Sequence, residues 1–269
     1  MSDGSGSEQF ADVRNHVPIL ARHERSALLL ESFLCYPEIR RAFAECSGEQ
    51  NPWAAIADKL GLRITMEGLV ERVPAEGPVV VIANHGHGGA DALALIAVMS
   101  HLRKDFRILA NREVTLLEGI DEETNIIPVD LLEGRDRKGN PAALRTTLKH
   151  VRDGGALGIF PAGRVAYWQG DRIKDPDWSP HIIRLLQRMN ATVVPLWFFG
   201  RQPSWIAILS KLSAFVRTAL IPTSLAKMKG REIVARAGEP VDSRKLRDLG
   251  EAAGPWLREQ LESISDLGN

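Results

Sequence analysis

Cysteine is scarce, with only Cys35 and Cys46 in 269 residues, both ahead of the region where the motifs cluster. Two thiols cannot build a disulfide framework, and reduced cysteines in a cytosolic protein fit the pattern better. Neither sign of charge is in excess, since 34 Lys and Arg face 34 Asp and Glu. The chain therefore lacks the global basic field that nucleic-acid binders use. Long apolar runs are missing as well. The best candidates, Leu93–Met99 and Trp205–Leu209, fall far short of the ~18–20 residues a spanning helix needs, so no membrane crossing is expected. Met1–Gln9 is Ser/Gly-rich, with neither a basic start leading into an apolar core nor a lipidation pattern, and is expected to be disordered. Internal repeats and low-complexity linkers are also absent. At 44% hydrophobic residues the chain is long enough to bury one substantial core.

What is present is centred on VVVIANHGHGGADALALIAVM, Val79–Met99. Val79–Asn84 reads as a buried strand and Asp91–Met99 as a helix, joined by a glycine-rich turn that carries His85 and His87. Such a strand, corner and helix place reactive side chains at the carboxyl edge of an α/β sheet. Asp91 falls near the helix N-terminus, where backbone amides favour a carboxylate. Gly86, Gly88 and Gly89 let the loop fold back so that His85 and Asp91 can meet. A carboxylate on one imidazole nitrogen leaves the other free to take a proton from a hydroxyl or water. No Ser or Cys sits in a nucleophile-elbow pattern here, so His85 would act directly on an acceptor. The alternative is that Asp91 caps the helix and His85 merely packs in the turn.

Strand patterns recur at 63–69, Val79–Ala83, Phe106–Ala110, Leu157–Phe160, Thr192–Phe198 and Glu232–Ala237. Helical patterns lie between most of them, at Asp91–His101, Pro141–Val151 and Pro180–Met189. This alternation predicts an α/β fold with a mixed, largely parallel sheet flanked by helices. Ahead of it, residues 10–60 read as a helical N-terminal segment, broken or bent at Pro37, with a short helix over Trp53–Leu60 capped by Asn51. That segment either covers a sheet edge or forms an apolar lid over an acyl chain or membrane face. The expected organisation is a tail at 1–9, the helical segment at 10–60 and one domain at 61–269. Ser210–Arg231 mixes apolar residues with Lys211, Arg217, Lys227, Lys229 and Arg231. It reads either as a basic amphipathic contact with an anionic bilayer or as core packing interrupted by Pro222.

Several blocks in order carry a resemblance: NHGHGGAD, IIPVDLLEGR, RDGGALGIFPAG, ATVVPLWFFGR and VRTALIPTSLAKMKGREIVARAGEPV. Over roughly residues 61–242 the chain resembles the lysophospholipid (glycerolipid) acyltransferase superfamily, including the 1-acylglycerol-3-phosphate acyltransferases. Within it, the chain is most similar to the hemolysin-like and ornithine-lipid O-acyltransferase subgroup. The resemblance implies that His85 and Asp91 are the catalytic pair. It also implies that Phe160, Pro161 and Gly163 belong to an acceptor-binding block, and that Val194 and Pro195 open the last block. Asn84, Gly88 and Gly89 beside the pair are placed with the substrate-binding residues, and so is Arg135 in the second block. Five residues separate His85 from Asp91 where the commonest family spacing is four, as is similar in the hemolysin-like subgroup. FPAGR stands where the family usually has FPEGTR or FPAGE, which puts Arg164 at a position normally acidic or hydroxylated. Arg112, Arg164 and Arg201 are further candidates to grip a phosphate or carboxylate on an acceptor, each also readable as an ordinary surface residue.

The implied activity is transfer of a fatty acyl group from acyl carrier protein or coenzyme A to a hydroxyl of a lysolipid. It needs neither metal nor redox cofactor, and implies peripheral contact with the inner face of a membrane from the cytoplasm. Backbone amides at Gly86–Gly89 or Gly163 are the candidate donors to the tetrahedral oxyanion. Two other readings stand beside it. His85 and His87 form a His-x-His pair that could hold a metal in a hydrolase, although Gly89 and Ala90 occupy the next ligand positions of that motif. The altered FPAGR block also suits a catalytically weak acyl-binding protein.

Overall fold

The computed structural model describes residues 35–46, 48–111, 125–129, 140–209 and 220–266. In chain order these form α1 (Tyr36–Cys46), α2 (Pro52–Lys59), β1 (Arg63–Glu67), α3 (Leu69–Arg72), β2 (Val79–Ala83), α4 (Gly89–Leu102), β3 (Arg107–Asn111), β4 (Ile126–Val129), α5 (Asn140–Arg152), β5 (Ala156–Ile159), β6 (Tyr167–Gln169), β7 (Arg172–Lys174), α6 (Pro180–Arg188), β8 (Thr192–Phe198), α7 (Ser204–Leu209), α8 (Ile221–Ala226), β9 (Glu232–Ala237), β10 (Val241–Asp242), α9 (Ser243–Asp248), a 3-10 turn at Gly250–Ala252, and α10 (Ala253–Asp266).

Strand β2 has five apolar residues and no polar alternation, and all five are buried. That is the signature of a strand covered on both faces. Val79, Val81 and Ala83 join one apolar core with α1, α2, α4 and α8. Val80 and Ile82 join the other, with α5, α6, α9 and α10. The result is a three-layer α/β sandwich. The large sheet runs β1-β9-β8-β2-β5-β3-β4, with β10 also on β8. β8, β2, β5, β3 and β4 are mutually parallel. β9 enters antiparallel to β8, and β1 follows parallel to β9. The sheet is therefore mixed and largely parallel, as the alternation of elements predicts.

Along β8 the partner strand carries one extra residue, since Ala237 faces Leu196 while Val241 faces Val193. This is a bulge. Gly238 donates to Pro195 O across it at 2.8 Å. A Cβ on Gly238 would stand 2.7 Å from Ile264 Cδ1, so any larger residue would have to displace that side chain of α10.

Asn51 caps α2 by accepting from Ala54 N at 3.1 Å, and its amide donates to Ser100 Oγ of α4 at 2.9 Å. Ile39, Phe43, Trp53 and Ile56 bury against the same core, with Phe43 and Trp53 edge to face. Helix α2 thus packs on α4, and α1 packs on α2 and α8. Pro37 sits in the first turn of α1, where its missing N–H costs nothing. Residues 24–34 of the expected N-terminal helical pattern lie outside the described residues, as do Met1–Gln9, Arg112, Arg135, Lys211 and Arg217.

Sequence pattern missed the edge strand β4, whose Pro128 speaks against a strand unless it lies at an edge. It also missed the hairpin β6–β7, whose three-residue strands are too short to show a period. Leu257, Leu261 and Ile264 in α10 are buried at helical spacing; that signal was readable. Among the described residues no helix is long and apolar enough to cross a membrane.

Candidate active site

The site begins where β2 ends. Asn84 is 6% exposed and continues the sheet with its side chain. Its Nδ2 donates to Phe198 O at 3.0 Å, and its Oδ1 accepts from Phe198 N at 2.6 Å. Asn84 is thus a strut between β2 and β8, which suffices to explain its place beside His85.

The turn that follows depends on close backbone approach. A Cβ on Gly86 would lie 2.8 Å from Gly200 O, and Gly86 O accepts from Gln202 N at 2.9 Å. Gly88 has φ 74° and ψ −130° and precedes α4, a conformation open only to glycine. Gly89 opens α4, and a Cβ there would press on Ile221 and Leu225 at 3.2 and 3.3 Å. Helix α4 therefore starts two residues earlier than the apolar pattern suggests, and Asp91 lies in its first turn.

Asp91 is fully buried. Its Oδ2 accepts from the backbone N–H of His87 at 2.8 Å and stands 3.2 Å from His85 Nδ1. The first contact is a carboxylate reaching back over a helix N-terminus, as in a capping box. The second makes Asp91 the partner of the imidazole, so the same carboxylate both ties the turn and meets the ring. His85 is 14% exposed at the side chain and stacks on Phe160, with centroids 4.1 Å apart and planes 18° apart. Its Nε2 carries no hydrogen bond among the described residues.

His87 does not converge with His85. Its ring is buried, and Nε2 lies 2.7 Å from Phe199 O rather than at the His85–Asp91 contact. Its Nδ1, like Asp91 Oδ1, is buried without a partner among the described residues.

The FPAGR corner packs directly against the pair. Phe160 supplies the stacked ring, Pro161 O accepts from Ser179 N at 3.2 Å, and Gly163 adopts φ 64°. Gly163 N donates to Phe160 O at 2.9 Å, so this amide is already used inside its own turn, contrary to its expected role as an oxyanion donor. The backbone amides of Gly86, Gly88 and Gly89 make no hydrogen bond among the described residues. Arg164 is half-buried beside the corner and Arg201 is exposed.

One residue with no motif signal enters the site. Both carboxylate oxygens of Asp175 accept from His85 N, at 3.1 and 3.2 Å, across 90 positions of sequence. Burial pushes its carboxyl up to about 6; the nearby His85 charge and the bond from His85 N oppose that rise, and Asp91 adds to it. Gln202 was likewise unanticipated. Its backbone N–H holds Gly86 O, and its side chain donates to Ala166 O at 3.0 Å.

Residues 63–199 match the acyltransferase family model. The chain belongs to the acyltransferase family. Two curated relatives are both named lyso-glycine lipid O-acyltransferase. The one from Phocaeicola vulgatus is 28% identical over 161 residues, 59% of this chain and 54% of the relative. The one from Bacteroides thetaiotaomicron is 25% identical over 159 residues, 59% of this chain and 56% of the relative. The chain thus spans about half the length of the curated relatives it matches. The fold is similar to the crystal structure of the 1-acyl-sn-glycerophosphate (LPA) acyltransferase PlsC from Thermotoga maritima. The TM-score is 0.51 at 17% identity, covering 95% of this chain and 94% of that one. All the described residues of the candidate site up to Phe199 fall inside the acyltransferase match; Gly200, Arg201 and Gln202 follow directly after it.

Proposed function

We propose that this chain is an O-acyltransferase that moves a fatty acyl group from an acyl carrier protein or coenzyme A thioester to the hydroxyl of a lysolipid. The reading is carried by the contact between His85 Nδ1 and Asp91 Oδ2 at the carboxyl end of β2, in a chain whose residues 63–199 match the acyltransferase family. With Nδ1–H directed at Asp91, Nε2 presents its lone pair to the acceptor and takes the hydroxyl proton. The acceptor oxygen attacks the thioester carbonyl and forms the new C–O bond. Collapse of the tetrahedral intermediate breaks the C–S bond, and the imidazolium returns its proton to the departing thiolate. No electrons are transferred, so the scheme uses no redox cofactor.

Asp91 stabilises the imidazolium from a fully buried position, where a charge pair is strong. The amides of Gly86, Gly88 and Gly89 are the available donors to the oxyanion. Phe160 orients the ring by stacking. The curated relatives' name points to a lyso-glycine lipid as the first acceptor to test, and Arg164 would favour an anionic group beside the reacting hydroxyl.

A lipid acceptor places the protein at a membrane, and we take it to be peripheral on the cytoplasmic face. Helix α7 supports such a contact, because Trp205, Ile208 and Leu209 are 43%, 51% and 37% exposed. It begins two residues after Gln202, which bonds both Gly86 and Ala166. Of the basic stretch at 210–231, by contrast, the described half turns its apolar side chains inward while Lys227, Lys229 and Arg231 stay exposed. Leu220, Pro222, Leu225 and Met228 are buried, and Lys229 pairs with Glu38 at 2.9 Å.

The test is incubation of the purified protein with labelled acyl-coenzyme A or acyl carrier protein and a panel of lysolipids. Labelled diacylated product, absent with His85→Ala, is expected. Thioester hydrolysis without transfer, or no reaction with either donor, overturns the reading.

A further inference from the structure

The base of the β6–β7 hairpin grips residue 85 from two sides. On one side Ala166, just before β6, donates its N–H to His85 O at 2.8 Å. On the other, Asp175, just after β7, receives the His85 N–H on both carboxylate oxygens. We propose that Asp175 is a positioning residue for His85, clamping its backbone so that the imidazole meets Asp91 and placing a second carboxylate behind the imidazolium formed in acyl transfer. This rests on the reading of His85 as the base.

The arrangement is costly for a mere structural tie. A backbone N–H can be satisfied by any neutral acceptor, whereas a carboxylate removed from water is penalised unless a charge compensates it. Here burial does push the Asp175 carboxyl up, to about 6. The charged groups that bear on it are His85 and Asp91 from the turn after β2, and Arg258 from α10. The Arg258 guanidinium also holds the chain in place, donating to Asp175 O at 3.2 Å and Pro176 O at 3.4 Å. Asp91 and Asp175 thus approach the same residue by different routes, one at the ring and the other at the backbone. The positive charge that appears when Nε2 accepts a proton therefore forms near two carboxylates.

Asp175→Asn keeps an acceptor oxygen for the amide but loses the charge; Asp175→Ala loses both. Three readouts separate the roles: hydrogen exchange at the His85 amide, the kcat and KM of acyl transfer, and the pH profile of kcat/KM. In Asp175→Ala the His85 amide is expected to lose protection. Its kcat should fall by roughly 10²-fold, the scale set by a misplaced catalytic group, with KM little changed. In Asp175→Asn the amide stays protected and kcat falls by roughly tenfold. Its acid limb should move to lower pH, because less negative charge then opposes loss of the imidazolium proton. Unchanged amide protection and kcat in a normally melting Asp175→Ala would overturn the proposal. So would an Asp175→Asn profile that superimposes on wild type. The amide exchange reads the clamp whether or not acyl transfer is observed, so absence of turnover in the wild type counts against the proposed activity and not against the clamp.

Discussion

The backbone N–H of His87 donates to the same Asp91 oxygen that faces His85 Nδ1, at 2.8 Å against 3.2 Å. One oxygen therefore terminates the turn and orients the imidazole. An asparagine at 91 can set its one oxygen in the same place, but it carries no charge to favour the imidazolium, and its NH2 would fall where Asp91 Oδ1 is buried without a partner among the described residues. Asp91→Asn should fold and lose roughly 10³- to 10⁴-fold in kcat, the scale seen when an orienting carboxylate is amidated. Steady-state kinetics beside a thermal melt checks this, and a loss below tenfold would remove Asp91 from the mechanism.

The two histidines should divide cleanly. His85→Ala removes the ring with the open Nε2, so turnover should drop by roughly 10²- to 10⁴-fold with little effect on stability. His87→Ala instead leaves Phe199 O without its 2.7 Å partner and opens a small cavity in a buried site. It should destabilise by about 1–3 kcal/mol and cost less activity than His85→Ala. Denaturant titration of both variants, read beside their rates, decides the matter.

Arg164 is the acceptor test. It lies half-buried beside the Phe160–Gly163 corner, and the corner's Phe160 touches His85. Arg164→Glu should raise KM for acceptors that carry a carboxylate or phosphate near the hydroxyl, with a smaller effect on neutral ones. A lost buried ionic contact costs about 2–5 kcal/mol. Equal KM ratios across charged and neutral acceptors would show that Arg164 does not read the acceptor.

Stability should carry a mark of Asp175. Its carboxyl is raised from 3.8 to about 6 in the folded protein, so the folded state holds more protons than the unfolded state between those values. This group's contribution then becomes less favourable as pH rises through roughly 4 to 6 and levels off above, by at most about 3 kcal/mol. Asp175→Asn lacks that slope. Melts of wild type and variant from pH 4 to 7 should show the variant gaining relative stability with rising pH; parallel curves would mean the carboxyl titrates normally.

Vesicle binding separates the two candidate membrane surfaces. Trp205→Asp with Ile208→Asp places two charges on the exposed face of α7 and should reduce sedimentation with anionic vesicles. Lys227→Glu with Lys229→Glu should matter less, because that segment packs on α1 and α4 and Lys229 already pairs with Glu38. The reverse ranking would return the contact to the basic stretch.

Local pattern determined a large part of this protein. Five consecutive apolar residues in β2, an Asn-Pro start to α2 and a glycine-rich corner between strand and helix are each legible from neighbours in sequence. They place His85 and Asp91 at the carboxyl end of a strand. The same logic reached Phe160, whose corner is another strand end, although only the folded chain shows its ring 4.1 Å from that of His85. Tertiary structure alone decided the rest. β9 enters antiparallel because the chain returns along β8, and register across 40 positions leaves no periodic trace. Gly163 turned from expected donor to self-satisfied turn because its amide found Phe160 O. Asp175 looks like one more acid in a polar connection. Its importance arises when a three-residue hairpin folds back and brings it, 90 residues on, under the backbone of His85. Short-range patterns encode what a segment does with its own neighbours. Which buried amide a distant carboxylate meets is set by packing of the whole sheet and its helices.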